Sequence, residues 1–319
     1  MSGIAIMTSG GDAAGMNPAV RAAVEHASNL GMKPYVVYDG LEGLIDGKIQ
    51  EATRELTQDM MFRGGTLLRS SRSKRFFDHA FRKQAYDHLK AKGINKLIIM
   101  GGDGSFRALN DFFNDFQVPF AGIPATIDND IAGTDYCLGV DTAQNMILNC
   151  IDSIRDTAQS HQRAFVVETM GRDCGYLAMT TAICSGADIC IVPEIPYDLE
   201  SVSKRLSARK QQGGCVIAVV AEGTKVAQYL TRWLEERMGM DTRLTVLGHL
   251  QRGGSPTARD RMMATRFATR AVDALCEGRN NQIMVYRDGS HGHTSLDAVV
   301  GQKYSVNQDI LALSRELSC

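Results

Sequence analysis

Short apolar runs alternate with longer amphipathic stretches along nearly the whole chain. The apolar runs predict nine strands, at 4–8, 35–38, 96–100, 120–123, 165–168, 189–192, 216–221, 244–247 and 283–286. Several of these runs are continuously apolar rather than alternating, which is typical of parallel strands that are covered on both faces.

The stretches between the predicted strands carry apolar residues at helical spacing. In the clearest of them, 141–157, Ala143, Ile147 and Ile151 fall on one stripe. Similar patterns predict helices at 18–30, 106–113, 202–210 and 262–275. Strands that alternate with helices predict an α/β fold with two mainly parallel sheets. The chain has no proline-rich linker, so we expect any domain boundary to be a tight crossover.

Composition narrows the class of protein. The 319 residues are 44% hydrophobic, which is enough for one large or two medium cores. With 35 Lys and Arg against 36 Asp and Glu, the net charge of −1 excludes nucleic-acid binding by bulk charge. No apolar run reaches the roughly 20 residues of a membrane span, and no signal-peptide pattern opens the chain. Eight scattered cysteines, without CxxC or zinc-ligand spacing, favour free thiols in the cytoplasm.

Three glycine- or aspartate-rich turns follow predicted strands. The first, TSGGDAAGMN at 8–17, combines paired glycines with a helix start, where free N–H groups can bind phosphate. The second, GGDGS at 101–105, adds the carboxylate of Asp103, which suits Mg²⁺. An ordinary strand-to-helix turn explains either motif on its own, although ligands do bind at the carboxyl ends of parallel strands.

The third turn, PATIDND at 124–130, places two carboxylates two residues apart. On an extended segment both would point the same way, so that Asp128 or Asp130 could accept a hydroxyl proton while the other organises a metal ion. The alternative is a structural Asx-rich turn. Because GxxxxGK[ST] and GxGxxG are both absent, a P-loop kinase and a simple dehydrogenase are disfavoured.

Cations cluster in one segment and recur at later predicted strand or helix ends. The cluster comprises Arg63, Arg69, Arg72, Lys74 and Arg75. Such a run is usually a solvated face; the absence of an interleaved aromatic residue favours a nucleotide phosphate over RNA as a ligand. The later cationic side chains are Arg163, Arg172, Arg243, His249 and Arg252. Arginine forks match phosphate oxygens, although surface ion pairs are the alternative for each. Glu222 lies near the end of the run CVIAVVAEG. It could accept hydrogen bonds from sugar hydroxyls, or it could be a solvated charge at a strand end.

Five motifs occur in a fixed order: TSGGDAAGMN, GGDGS, PATIDND, SHQRAFVVETMGRDCGYLA and LGHLQRGG. On these motifs the chain resembles the 6-phosphofructokinases of the bacterial ATP-dependent type, from near residue 3 to at least residue 280. The resemblance implies two three-layer α/β domains with the active site in the cleft between them. It places a larger nucleotide domain at 1–138 plus about 251–301, and a smaller sugar-phosphate domain at 139–250 plus about 302–319.

The resemblance also implies a glycolytic reaction that moves the γ-phosphoryl of Mg·ATP to the 1-hydroxyl of fructose 6-phosphate. Asp128 matches the base, Thr126 and Arg172 match residues that steady the phosphoryl, and Asp130 matches a second carboxylate near the metal. The nucleotide would be held by Gly11, Arg72, Gly102, Asp103, Gly104 and Ser105, with Asp103 serving Mg²⁺. The sugar phosphate would be held by Met170, Gly171, Arg172, Glu222, His249 and Arg252, together with Arg163 and Arg243 from a neighbouring subunit of a homotetramer.

Two positions bear on the phosphoryl donor. Pyrophosphate-using relatives usually carry Asp where this chain has Gly104, and Lys where it has Ala125. Both positions favour ATP, with a pyrophosphate-dependent enzyme as the alternative. The GGDG motif alone would also suit an NAD or lipid kinase, but the later motifs argue against one. A non-catalytic regulatory subunit is the other alternative, although Asp103, Asp128 and Arg172 are retained.

A regulatory site is the weaker part of the resemblance. Residues that match or approximate the family's effector site are Arg21, Arg54, Asp59, Arg155, Gly186 and Asp188. Glu25 stands where bacterial members often have Arg, and the segment 211–214 replaces a Lys-rich one. Since lost cations weaken polyanion binding, we expect either that the usual bacterial effectors act weakly here or that another effector is used.

Overall fold

A computed structural model describes residues 2–211 and 214–318. Gln212 and Gly213, which belong to the segment that replaces the Lys-rich one, lie outside the described residues. The same is true of Met1 and Cys319.

Strands and helices alternate through the described chain. Its strands are β1 (Gly3–Thr8), β2 (Lys33–Val37), β3 (Ile49–Glu51), β4 (Ile94–Gly101), β5 (Phe120–Pro124), β6 (Ala164–Thr169), β7 (Ile189–Ile191), β8 (Val216–Ala221), β9 (Thr242–Val246), β10 (Gln282–Arg287) and β11 (Ser290–Ser295). Its helices are α1 (Met16–Asn29), α2 (Gly40–Ile45), α3 (Arg54–Thr57), α4 (His79–Ala91), α5 (Asp103–Phe116), α6 (Val140–His161), α7 (Tyr176–Ser185), α8 (Leu199–Gln211), α9 (Ala227–Glu236), α10 (Ala258–Cys276) and α11 (Gln308–Ser318).

All nine predicted strands and all five predicted helices are present. The pattern missed β3 and β11, which are the two edge strands of one sheet and pair antiparallel to their neighbours. The sequence of β11, SHGHTS, has no apolar alternation, because an edge strand exposed to water needs none. The predicted α/β class with two mainly parallel sheets is confirmed.

The chain divides into two compact units. Unit 1 contains Met1–Thr126, Ile131–Thr142 and Arg252–Tyr304, and unit 2 contains the remaining segments, Ile127–Asp130, Ala143–Gln251 and Ser305–Cys319. The chain first passes from one unit to the other within the third motif, so Thr126 belongs to unit 1 and Asp128 to unit 2.

Unit 1 is built on a seven-stranded sheet in the order β11-β10-β5-β4-β1-β2-β3. Every residue of β1 is buried, as expected of a central parallel strand covered on both faces. α1 packs on β1 and β2 and against α10, whereas α5 packs on β4 and β5 and against α4. The unit therefore has three layers.

Unit 2 is built on a four-stranded parallel sheet in the order β7-β8-β6-β9. Alternate residues of β6 and β8, including Val166 and Ala218, form a buried cluster with Leu206 of α8 and Leu230 of α9. α7 packs on β7 and β8 and against α11. This unit is also an α/β sandwich.

Asp260, near the start of α10, is a buried anchor that the sequence did not reveal. It is 0% exposed, and its carboxylate accepts hydrogen bonds from the backbone N–H of Gly139 (3.0 Å) and Thr142 (2.9 Å) and from the Thr142 hydroxyl (2.5 Å). Burial raises the pKa of Asp260, although these hydrogen bonds oppose the increase. The carboxylate thereby fixes the segment that leads from β5 into α6.

We predict that Asp260→Ala lowers the free energy of unfolding by about 2 kcal/mol or more, because it leaves two buried N–H groups without an acceptor. Urea denaturation measures the change. Glu277→Ala is the matched control: its exposed ion pair with Arg279 should contribute less than about 1 kcal/mol. Equal unfolding free energies for the two variants would contradict the anchoring role.

Candidate active site

The order of strands in unit 1 creates a crevice beside β1. From β1 the chain crosses to β2 on one side, whereas from β4, the neighbour of β1 on the other side, it crosses to β5. Because such crossovers are right-handed, α1 and α5 lie on opposite faces of the sheet and their first turns diverge. Ligands of open α/β sheets bind at this kind of switch point, outside the carboxyl ends of the strands. The first two glycine motifs both lie there.

Direct contacts join these two motifs. The Ser105 hydroxyl donates to the Ser9 hydroxyl at 2.9 Å in a buried contact, and Ser9 N–H donates to the Met100 carbonyl at 2.9 Å. A Cβ on Gly101 would lie 2.7 Å from the Ser9 carbonyl oxygen, so only glycine permits this approach. The Ser70 hydroxyl donates to the Gly10 carbonyl at 2.7 Å, which brings the cationic segment to the same place.

The cations of that segment have different partners. Arg69 pairs with Asp39 at 2.8 Å, and Arg75 contacts both Glu42 and Asp46. Arg72 is exposed and has no acidic partner within 4.0 Å among the described residues. Of these three arginines, Arg72 is therefore the one that remains available to a ligand.

Arg252 lies with the first glycine motif. Its Nη1 donates to the Asp12 carbonyl at 3.1 Å, and a Cβ on Gly11 would lie only 2.5 Å from the same nitrogen. Arg252 thus shares unit 1 with the predicted nucleotide residues, whereas the other predicted sugar-phosphate residues belong to unit 2.

Asp103 and Gly104 begin α5. One Asp103 oxygen pairs with Arg107 at 2.8 Å, the other accepts from the Gly301 N–H at 3.3 Å, and the side chain is 39% exposed. A Cβ on Gly104 would meet no atom within 4 Å, so the space above the first turn of α5 is open. Thr126, after β5, donates its N–H to the Leu138 carbonyl at 3.2 Å. All three residues lie at the carboxyl ends of neighbouring strands.

In unit 2, Asp128 is 1% exposed and lies 3.3 Å from Nε of Arg172, whose Nη1 is 4.0 Å from Asp130. The expectation of an extended segment was wrong: Asn129 has a left-handed φ of 52°, so the backbone turns between the two carboxylates. They nevertheless contact the same guanidinium group, one buried and one 32% exposed. The turn therefore gives the two carboxylates different environments.

The segment after β6 is held by the strands on either side. Arg172 N–H donates to Glu222, after β8, at 3.0 Å, and Met170 N–H donates to the Gln251 side chain, after β9, at 3.1 Å. Gly171 has a φ of 139°, which a side chain would strain. Burial, and then the negative charge of Glu222, raise the pKa of Glu168. His249 lies in the short helix Gly248–Arg252 and is exposed.

Arg163 and Arg243 lie near the amino ends of the strands of this sheet, opposite the carboxyl ends that carry Met170 and Arg172. Arg163 precedes β6 and Arg243 is near the start of β9; both contact Asp241, Arg163 at 2.5 Å. Desolvation of Asp241 is outweighed by these two guanidinium groups, which lower its pKa. At about 3.3 Å per residue, β6 separates Arg163 from Met170 by roughly 20 Å. Within one chain the two sets cannot contact the same small molecule.

The predicted effector residues fall into two groups. In unit 1, Arg21 pairs with Glu25 at 3.0 Å and donates to the Gln58 carbonyl, next to Asp59, while Arg54 donates to Asn29 at 3.2 Å. In unit 2, Arg155 donates to the carbonyl of Ser185 at 2.5 Å, beside Gly186. Asp188 follows, and its carboxylate accepts from the Ile217 N–H at 2.9 Å.

Two positioning residues were missed by the sequence reasoning. Gln251 belongs to the LGHLQRGG motif, but no separate role was expected of it. It is 1% exposed, and its side-chain oxygen accepts a hydrogen bond from the Met170 N–H. Asn17 ends the first motif, and its side chain donates to the carbonyls of Arg63 and Gly64 and accepts from the Leu67 N–H. Each was part of a recognised motif, which was the available signal.

Neither a metal cluster nor a membrane helix is found in the described parts of the chain. No group of three or more His, Cys, Asp or Glu side chains could hold a metal ion there. No described helix is long and apolar enough to cross a membrane.

The fold and these residues define an α/β protein that handles phosphate groups: one unit carries glycine loops at a switch point, and the other carries an arginine beside two carboxylates. A model of the phosphofructokinase family matches residues 3–275. The chain belongs to the phosphofructokinase family.

Curated relatives match over nearly the whole chain. An ATP-dependent 6-phosphofructokinase of Sulfurimonas denitrificans is 48% identical over 98% of both chains, and one of Sulfurovum sp. is 49% identical over 99% of this chain and 97% of the relative.

Solved structures match as well. Phosphofructokinase from Saccharomyces cerevisiae aligns with a TM-score of 0.85 and 31% identity over 99% of this chain, which spans 46% of the yeast chain. A pyrophosphate-dependent phosphofructokinase from Marinobacter aquaeolei aligns with a TM-score of 0.85 at 21% identity, over 100% of this chain and 92% of that one, and shows the shared fold.

We predict opposite effects for two glycine substitutions. In Gly223→Ala the new Cβ would lie 1.9 Å from the Arg172 carbonyl oxygen, so the variant should lose about 1–3 kcal/mol of unfolding free energy. In Gly104→Ala the methyl group enters open space within a helix, so stability should rise by roughly 0.5 kcal/mol. Thermal unfolding distinguishes the two. A Gly223→Ala protein as stable as the parent would show that the Arg172 backbone is not held there.

Proposed function

We propose that the chain is an ATP-dependent 6-phosphofructokinase, which transfers the γ-phosphoryl group of Mg·ATP to the 1-hydroxyl of fructose 6-phosphate and serves glycolysis. The observation that carries the proposal is the pair of Asp128 and Arg172: a buried carboxylate lies 3.3 Å from a half-exposed guanidinium at the strand ends of unit 2. The activity is the one that the curated relatives are named for.

ATP binds to unit 1. The N–H groups at the first turns of α1 and α5 face the phosphates, and Gly11, Gly102 and Ser105 let the chain come close. Arg72 supplies a cation that no carboxylate among the described residues neutralises. The open space at Gly104 accommodates the nucleotide, where an Asp would occupy it, and Ala125, which is 2% exposed, leaves little room for a longer side chain. Both features support ATP over pyrophosphate.

The residues present fit a magnesium ion that is bound mainly by its substrate. Mg²⁺ keeps several waters and takes one or two carboxylates plus substrate phosphates, so it needs no dedicated protein cage. Asp103, partly exposed at the start of α5, would hold it in unit 1, and Asp130 is the second carboxylate assigned near it. When bound, the ion neutralises phosphate charge in the transition state.

Phosphoryl transfer depends on positioning and charge rather than on a covalent intermediate with the protein. Asp128 accepts the proton of the sugar 1-hydroxyl as that oxygen attacks phosphorus. Arg172 orients the Asp128 carboxylate and, because its guanidinium is 52% exposed, also neutralises charge on the transferring group. Thr126, two residues before Asp128, donates to the same phosphoryl oxygens.

The sugar phosphate binds to unit 2. Met170, Gly171, Glu222 and His249 contact the sugar, and Arg252 is the further residue assigned to it. Arg163 and Arg243 bind the 6-phosphate of a fructose 6-phosphate molecule that a neighbouring subunit holds, because about 20 Å of β6 separates them from Arg172 in their own chain. Sites shared in this way require a homo-oligomer, and we propose the homotetramer.

Charge pairing at the predicted effector site bears on regulation, and the cysteines bear on location. Glu25 already neutralises Arg21, so phosphate-bearing effectors bind weakly at the proposed site between subunits, to which Arg21, Arg54, Asp59, Arg155, Gly186 and Asp188 are assigned. The seven cysteines that the structure describes are free thiols, which supports a location in the reducing cytoplasm.

Asp128→Asn tests the proposed base. We expect kcat to fall by about 10²- to 10⁴-fold with folding intact, because the amide cannot accept the hydroxyl proton. Coupled assay of fructose 1,6-bisphosphate gives the rates. Asp152→Asn, an exposed aspartate of the same unit, is the control and should keep full activity. An Asp128→Asn enzyme that turns over at the parent rate would exclude Asp128 as the base.

Shared sites predict complementation between two impaired variants. Asp128→Asn and Arg163→Ala should each be weak alone. After both are unfolded together and refolded in equal amounts, about a quarter of the sites combine an intact Asp128 with an intact Arg163 from the partner, so activity should return to about a quarter of the parent value. A mixture no more active than its components would place both residues in sites formed within one chain.

A further inference from the structure

A cavity of about 730 Å³ opens in unit 1, away from the glycine motifs. One wall is the outer face of α10, where Arg266, Thr269, Arg270 and Asp273 fall at helical spacing. The other is the turn between β10 and β11 with the first residues of β11, Ser290 and His291. Its volume falls in the range of small-molecule sites, about 300–1,000 Å³.

The two arginines of this cavity have no acidic partner in the part of the chain that the structure describes. Neither Arg266 nor Arg270 comes within 4.0 Å of a carboxylate among the described residues, although many other arginines of the chain do. Because they are four residues apart on α10, their Cβ atoms lie about 5–6 Å from each other. The carboxylate of Asp273 is 2.6 Å from Nε2 of His26, so it is engaged on another helix. The cavity therefore holds two arginine charges against the single carboxylate of Asp273, which leaves a net positive charge.

His291 is held in the same wall by aromatic contacts. Its ring lies edge-on to Phe267 at 5.3 Å between centroids and against Tyr286 at 5.0 Å. Its Nδ1 is buried without a hydrogen-bond partner in the described structure. Burial, and then the charges of Arg266 and Arg270, lower the pKa of His291. A bound anion would offset that cationic field.

The backbone of the turn between β10 and β11 places Ser290 and His291 at the cavity. Asp288 (φ 50°) and Gly289 (φ 75°) form a tight turn of the kind that Asp-Gly favours, and it carries Ser290 and His291 to α10. Two guanidinium forks, a serine hydroxyl and an imidazole are more donors than the two oxygens of a carboxylate can accept, but they match the three terminal oxygens of a phosphoryl group. We propose that this cavity, lined by Arg266, Arg270, Ser290 and His291, binds a phosphate-bearing small molecule at a site separate from the glycine motifs.

Residue-resolved arginine footprinting tests the proposal on the intact protein. Phenylglyoxal modification is followed by peptide mass spectrometry, so binding at other sites does not affect the reading. Inorganic phosphate should slow modification of Arg266 and Arg270 saturably, by about threefold or more, and leave Arg279 unchanged. Acetate and chloride at the same ionic strength should not protect. Equal protection by all three anions, or none by phosphate, would overturn the proposal.

A variant locates the interaction. In Arg270→Ala the phosphate concentration that half-protects Arg266 should rise about tenfold, the effect of one charge-assisted hydrogen bond. Arg279→Ala, which removes the same charge near the end of α10, should leave it unchanged; a rise in both variants would mean that only general charge is sensed. Adenosine diphosphate and fructose 1,6-bisphosphate as further probes assign a nucleotide or a sugar phosphate, according to which protects at lower concentration.

Discussion

The crossing of the chain on either side of β1 is the constraint on which the rest of this structure depends. Because β1 is buried along its whole length, and because β1 and its neighbour β4 lead to α1 and α5 on opposite faces of the sheet, two helix starts diverge above one strand pair. The crevice needs close backbone approach, so glycine is required where Gly101 meets Ser9. The phosphate binding that we propose for unit 1 is thus a consequence of topology, to which side chains add charge and selectivity.

Arginines act differently in the two units according to what lies beside them. Arg69, Arg75 and Arg21 are neutralised by nearby carboxylates and hold the structure together. Arg72 lacks such a partner among the described residues, and Arg172 shares itself between a buried and an exposed carboxylate. Arg163 and Arg243 lie near the amino ends of the unit 2 strands. These cations therefore cannot join the residues at the carboxyl ends of the same chain in binding one ligand. In the proposed homo-oligomer, assembly is therefore part of the chemistry.

Much of the fold followed from apolar periodicity, since buried parallel strands such as β8 are continuously apolar. The edge strands β3 and β11 could not be found this way because they are short or largely solvent-exposed and carry too few apolar positions to form a pattern. The site residues followed from motif order, but their geometry did not: a left-handed Asn129 separates Asp128 from Asp130, where an extended segment was expected. Asp260 was invisible because its role depends on backbone groups more than 100 residues away in sequence.

The proposed activity uses ATP as donor and fructose 6-phosphate as acceptor. The most direct measurement follows fructose 1,6-bisphosphate formation by the purified protein with Mg²⁺ and either ATP or pyrophosphate. We expect turnover with ATP and none with pyrophosphate, because the space at Gly104 is open and Ala125 is small and buried. Turnover with pyrophosphate, or with neither donor, would contradict the proposed function.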